Sequence, residues 1–495
     1  MTRLLSSYNE EDFSFIRILF VSVLFLVSCS SDDPKEAIID IDKEDSDGVE
    51  SPEPVIIRST KVIASPQRPG NNDVGKNYLI NGDYMSSGVP YDAWVLATGE
   101  NNSNILGRTG DNTIITYDNT AITAFNGVRV VAPNCLNCHS SFIDDRYIIG
   151  LGQHDGDYTQ NRAVNVPILT SAINSIYGAE SPEAEAYGQF ARSIKAIGPK
   201  TVTASRGVNP ADKIAEVLIS HRDKNTLEWQ NEPLIAISDE VLPTDVPAWW
   251  LLKKKNAMFY NAMSRMDFCK SFIGASLLTM NGSAKAEEID KKMEDVLAYI
   301  YSLEPPKYPF EVDSDLVNQG KVIFENNCME CHGSYNDDAE NYPNLLVALE
   351  SVQTDPELSN HYTESSTRNA YFLDWFNNGW FGNFSSPLEI VPEGGYIAPP
   401  LDGIWATAPY FHNGSVPTVA DVLNSQNRPE FWSRTFDNTD YNRELLGWNY
   451  TIQTSQADKN TYNTTLKGYG NGGHTFGDSL SDNEITALLE YLKTL

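Results

Sequence analysis

A chain of 495 residues is long enough for two or three domains, and 41% hydrophobic with 11% aromatic content can bury a sizeable core, which excludes wholesale disorder. Lys and Arg number 36 against 67 Asp and Glu; a net charge of −31 excludes the basic footprint of a nucleic-acid binder and favours partners with a basic patch. Six Cys are too few to staple a scaffold of this length with disulfides.

At the N-terminus, Arg17 precedes an apolar run from Ile18 to Val27. That run is shorter than the ~20 residues a membrane span needs and suits the core of a signal peptide, or else a short buried helix. Leu26-Val27-Ser28-Cys29 resembles the lipobox of bacterial lipoproteins. The resemblance implies that residues 1–28 are a lipoprotein signal peptide. Cys29 would then be lipidated as the first residue of an exported, membrane-anchored chain, in the periplasm or at the outer membrane or cell surface of a Gram-negative-type bacterium. Glu10, Glu11 and Asp12 depart from the positive charge expected ahead of such a run. Residues 30–53 then carry ten acids against two lysines, so residues 29–65 read as an acidic flexible tether, either a plain linker or a surface-export signal.

Further along, Cys135-Leu-Asn-Cys138-His139 and Cys328-Met-Glu-Cys331-His332 share the pattern C-x-x-C-H. Within one helical turn, two Cys three apart share a face and can both form thioethers to haem vinyl groups. The next residue brings an imidazole to the iron. Zinc or a redox C-x-x-C would need partner residues that do not cluster in this sequence. Two covalently bound c-type haems are therefore expected, held by Cys135, Cys138 and His139 and by Cys328, Cys331 and His332.

The stretches after the two motifs match in length, with 164 residues from His139 to Leu303 and 163 from His332 to Leu495. Each ends in an amphipathic helix, one with Ile289, Met293, Val296, Leu297 and Ile300 on a face, the other with Ile485, Leu488, Leu489 and Leu492. Ser481 and Glu484 predict a capping box. Ahead of the second motif, Leu316, Gly320 and Phe324 predict a short leading helix, with Gly320 allowing close helix packing. Pro305-Pro306 breaks the chain. The expected fold is mainly α: an N-terminal haem domain over 66–306 and a C-terminal one over 307–495, both cytochrome c-like, with long loops and a few short strands.

Pro400-Leu401-Asp402-Gly403-Ile404-Trp405, running into Ala408-Pro409-Tyr410-Phe411-His412-Asn413-Gly414-Ser415-Val416-Pro417, resembles the signature of di-haem oxidoreductases. That superfamily holds the bacterial cytochrome c peroxidases and the methylamine-utilisation haem enzyme, and the rubber-oxygenase-like di-haem cytochromes resemble this chain most. Pro247-Ala-Trp249-Trp250, Pro305-Pro306-Lys307-Tyr308-Pro309-Phe310 and Gly473-His474-Thr-Phe-Gly477 add to the likeness, which covers about residues 125–495. The resemblance implies His412 as distal ligand of the second haem, making it six-coordinate and suited to relay electrons. It also implies a first haem left open for peroxide or dioxygen, and a calcium ion between the haems. His154 is either the rival ligand for the first iron or a residue of a Gly-rich surface loop, and Met258, Met263 and Met266 are further candidates or else core. Trp249 or Trp250 would carry electrons or a radical between the haems, or else be a packed aromatic pair. Lys253-Lys254-Lys255 is either a docking point or a solvated patch. Arg265 and Asp267 pair with each other or reach a haem propionate. The sequence therefore predicts a redox enzyme that uses a small oxidant, or a non-catalytic electron carrier with both haems six-coordinate; in either case a redox partner protein is expected.

Overall fold

The computed structural model describes residues 57–335 and 341–495. The lipobox, Cys29 and the acidic stretch to Glu53 lie outside the described residues. The end of the expected tether does not: Ser59–Lys61 is a strand paired antiparallel with Leu345–Val347, and Val62 is buried beside Ala257, Ala262, Leu346 and Ile397. Composition marks the acidic run as solvated, but the apolar contact that stops it at Val62 is tertiary.

Helix takes 39% of the described residues and strand 13%, the latter spread over fifteen short strands in six small sheets. The mainly α expectation therefore needs correcting to a mixed fold. Its strands are two to five residues long and lie in turn-rich stretches, too short to show a period-2 pattern in the sequence.

Two helix pairs organise the molecule. Helix α1 (Asn72–Asn81) packs on α2 (Ser283–Ser302), and α3 (Ser314–Asn327) packs on α4 (Asp482–Leu492). Asn71 and Asp313 cap α1 and α3 through side-chain oxygens that accept backbone N–H groups. The predicted capping box at Ser481 and Glu484 is present on α4. Each pair crosses on a glycine. A Cβ on Gly75 would stand 1.8 Å from the Asp295 carbonyl oxygen, and one on Gly320 would stand 2.0 Å from that of Ala487. The two halves thus share one close-packed crossing, the structural form of the repeat inferred from spacing.

The halves diverge beyond that crossing. In the second half, Cys328 comes eight residues after Gly320 and directly continues α3. In the first, sixty residues separate Gly75 from Cys135. That insertion holds a three-stranded antiparallel sheet of Val89–Pro90, Arg129–Pro133 and Asn119–Thr123, and it delivers Cys135 from a strand rather than a helix. The hydrophobic cores also interleave. The largest gathers Leu79, Leu136, Trp249, Ile289 and Leu297 together with Phe372, Trp375, Phe381 and Ile390. The second joins Ile143, Leu151 and Trp250 to Phe324, Trp405, Leu488 and Leu492. Both draw on residues from either side of Pro306.

Candidate functional site

Both C-x-x-C-H segments form one tight turn with the same backbone bonds. In the first, the Cys138 and His139 amides donate to the Cys135 carbonyl at 3.3 and 3.0 Å. In the second, Cys331 and His332 donate to Cys328 at 3.2 and 3.0 Å. Asn134 starts the first turn by accepting the Leu136 amide, and its own Nδ2 donates to Tyr117 O and Thr120 Oγ1. The strand Ser140–Ile143 comes next and pairs with Arg146–Ile149. Asn209 Nδ2 donates to Cys138 Sγ at 3.6 Å.

His332 is the better defined of the two motif histidines. Its Nδ1 bonds the Pro399 carbonyl at 2.8 Å, which places the proton there and leaves Nε2 as the lone-pair nitrogen. The ring that faces it is that of His474, with centroids 6.2 Å apart and planes at 59°. A metal–imidazole bond of ~2 Å and ~1 Å from nitrogen to ring centre, taken on both sides, predicts roughly 6 Å for two rings sharing one metal. Burial pulls His474 down to about 3, so its imidazole is neutral, the form that binds a metal. Arg428 fixes the loop behind it. Its guanidinium donates to five backbone carbonyls, those of Asp421, Val422, Asn471, Gly473 and His474. The His474 amide donates to Val352 O at 2.7 Å while its φ of 48° lies in the sparsely allowed left-handed region, so the surroundings impose this orientation.

His412 takes a different place from the one expected. Its ring stacks on Tyr396 at 4.0 Å and lies edge-on to Tyr260, and no hydrogen bond or ring contact joins it to His332 among the described residues. Tyr260 Oη donates to Asp245 Oδ2 at 2.5 Å, and the Asp245 amide donates to the His412 carbonyl at 2.7 Å. Burial pushes the Asp245 carboxyl up to about 8. The ring facing His332 is that of His474, in the sequence only part of a segment that resembles the family, while His412, expected there, lies against Tyr396 and Tyr260 with its Nε2 buried and without a partner among the described residues. The signal that could have found His474 is Gly472-Gly473 ahead of the ring, a hinge tight enough to present a side chain inward.

Around His139 no second histidine faces the ring among the described residues. Its ring stacks on Trp249 at 4.4 Å and 17°. His154, the rival ligand, has both nitrogens engaged: Nε2 lies 3.1 Å from Ser141 Oγ and 3.2 Å from Phe142 O, and Nδ1 3.2 Å from Arg434. Two of the three methionines also have engaged sulfurs, Met263 accepting from Asn261 and Met266 from Ser65.

Trp249 and Trp250 belong to one 3-10 turn but to different cores. Trp249 covers His139, while Trp250 Nε1 donates to Asp402 O at 2.8 Å, inside the Pro400–Trp405 signature. The three lysines after them have unlike surroundings. Lys253 pairs with Glu304 at 2.7 Å, Lys254 with Asp402 at 2.6 Å, and Lys255 is buried. Arg265 pairs with Glu393 rather than with Asp267, which caps a helix at Cys269 and meets Arg68. No group of three or more His, Cys, Asp or Glu among the described residues could hold a metal ion, so no calcium site emerges from them.

The donor set fits covalent haem. Two Cys-Cys-His turns and a buried histidine ring facing one of them suit a group that the chain itself does not supply.

Comparison with known proteins agrees at the level of class. Residues 395–433, which include the Pro400–Trp405 signature and His412, match the family described as RoxA-like, cytochrome c-like. The two C-x-x-C-H turns lie outside that stretch, and their donors suit the covalent haem that a cytochrome c-like segment suggests. Among curated proteins it is 26% identical to the uncharacterized protein y4iM and 29% identical to y4iJ, both of Sinorhizobium fredii. Each match covers 39% of this chain, and 46% and 41% of those relatives, so the chain spans less than half the length of the curated relatives it matches. Hydrazine synthase of Kuenenia stuttgartiensis aligns over 67% of this chain and 92% of its own at 16% identity, with a TM-score of 0.23 that carries no argument about function.

Proposed function

We propose that this chain is an exported, lipid-anchored di-haem c-type cytochrome with unlike irons. Cys328, Cys331 and His332, with His474 facing His332, would hold one haem, which would supply electron storage and relay. Cys135, Cys138 and His139 would hold the other, which would supply the chemistry with peroxide or dioxygen. The observation that carries the reading is the asymmetry between the motif histidines: His332 has a facing ring 6.2 Å away, and His139 has none among the described residues. The engagement of both His154 nitrogens favours the catalyst over the carrier.

Bound haem supplies the one-electron and oxygen chemistry. The chain supplies the rest. The Pro399 carbonyl, by holding the His332 Nδ1 proton, strengthens Nε2 as a donor. Two nitrogen ligands give a lower potential than a nitrogen–thioether pair, which suits a relay. Trp249 and Trp250 connect the His139 ring to the Asp402 carbonyl through one ring stack, one peptide link and one hydrogen bond, a short route between the two halves. The physiological partner would be a redox protein with a basic docking face, given the charge of this chain.

Purified holoprotein tests this directly. One high-spin and one low-spin haem in the oxidised EPR spectrum are expected, with one carbon monoxide bound per chain after reduction. Peroxide and dioxygen are then screened for turnover. Two low-spin haems that both refuse carbon monoxide would leave an electron carrier.

A further inference from the structure

Among the described residues, most buried or partly buried cations are matched. Lys213 meets Glu216 at 2.6 Å, Lys270 meets Asp290 at 2.7 Å, and Lys254 meets Asp402 at 2.6 Å. Arg108, Arg222 and Arg428 donate to backbone carbonyls. Two cations stand apart. Arg146 makes no hydrogen bond or ion pair among the described residues, and its Nε and Nη2 are both buried. Lys255 is 8% exposed, and its ammonium likewise has no partner there. Burial alone pulls Lys255 down to about 8.

Shielded N–H groups of a partly buried guanidinium, or a buried lysine, left without an acceptor are costly, and unmatched bases are least expected in a chain with 67 acids against 36 bases. Position narrows the explanation. Arg146 lies on the strand paired with the one that leaves His139, and its guanidinium sits over the Trp405 ring at 5.6 Å. Lys255 closes the turn that Trp249 opens against His139. Its neighbour Lys254 lines a cavity of about 300 Å³ with His332 and Tyr342. Both cations thus belong to segments that run between the two C-x-x-C-H turns.

We propose that Arg146 and Lys255 are the counter-ions of the propionate carboxylates of covalently bound haem. The inference rests on the di-haem reading above and adds to it two binding residues. A guanidinium offers a planar pair of N–H donors suited to a carboxylate, and an ammonium offers a point charge. Both would also hold the potential of the adjacent iron up, because a nearby cation favours the reduced, more negative haem.

The test uses full-length holoprotein carrying Arg146→Gln or Lys255→Met, with Arg146→Lys and Lys255→Arg as charge-keeping variants. Haem content is read by mass, midpoint potentials by redox titration, and the propionate bending bands by resonance Raman. The expected result is two haems per chain in every variant, a downward shift of one midpoint potential and a moved propionate band in each neutral variant, and near-native potentials with a moved propionate band in the charge-keeping pair. Should a neutral variant fail to fold, a moved propionate band in its charge-keeping partner supports the assignment, since lysine and arginine bind a carboxylate differently; an unmoved band counts against it. Two haems with potentials and bands unmoved in all variants would overturn the proposal alone. A wild-type chain without covalent haem would overturn the di-haem reading and the proposal together.

Discussion

Single atoms decide the coordination chemistry. Because His474 faces His332 and Arg428 holds the His474 loop through five carbonyls, His474→Ala should convert one low-spin haem to a high-spin form that binds carbon monoxide. His412→Ala should leave that spectrum unchanged, and the reverse pattern would restore His412 as ligand. Arg428→Lys replaces a planar fork of donors with at most three, so partial high-spin character is expected. Asp245 offers a pH readout. Its carboxyl is raised from 3.8 to about 8 by burial, so between those values the folded chain holds a proton that the unfolded chain has lost. Stability therefore falls as pH rises through that window. The denaturation midpoint should drop between pH ~5 and ~8, and by less in Asp245→Asn, which cannot titrate. An equal drop in both proteins would show that other groups set the slope.

At the scale of elements, the paired crossings are the sensitive joints. A methyl group at Gly75 or Gly320 would meet a carbonyl at 1.8 or 2.0 Å, so α1/α2 or α3/α4 must move apart. Gly75→Ala and Gly320→Ala should each cost about 1–3 kcal/mol by chemical denaturation, as overpacking does. Equal losses at the two sites would support the repeat at the level of energy. A neutral Gly75→Ala would mean that the first crossing tolerates separation.

For the whole molecule, the interleaved cores predict one folding unit where the helix-tail repeat suggests two. Residues 66–306 produced alone would expose the surface that Phe372, Trp375 and Phe381 cover. That fragment should lack a cooperative thermal transition by near-UV circular dichroism, while the full chain has one. A sharp transition in the fragment would make the first half an independent domain.

What the sequence by itself determined is chemistry that depends on short spacing. The two C-x-x-C-H turns, the helix tails at Leu303 and Leu495, the capping box at Ser481 and the close approach at Gly320 are all local patterns, because a turn or a helix face is set by residues three or four apart. Gly75 is not legible in the same way, because the sixty-residue insertion hides its relation to Cys135. Only the tertiary structure decided which ring faces His332, since His474 lies 142 residues further along and reaches it through a loop pinned by Arg428. It alone decided that Lys253 and Lys254 are paired and that Lys255 is buried, because partners such as Glu304 and Asp402 are distant in sequence. Distant partners are chosen by packing, and packing leaves no period along the chain.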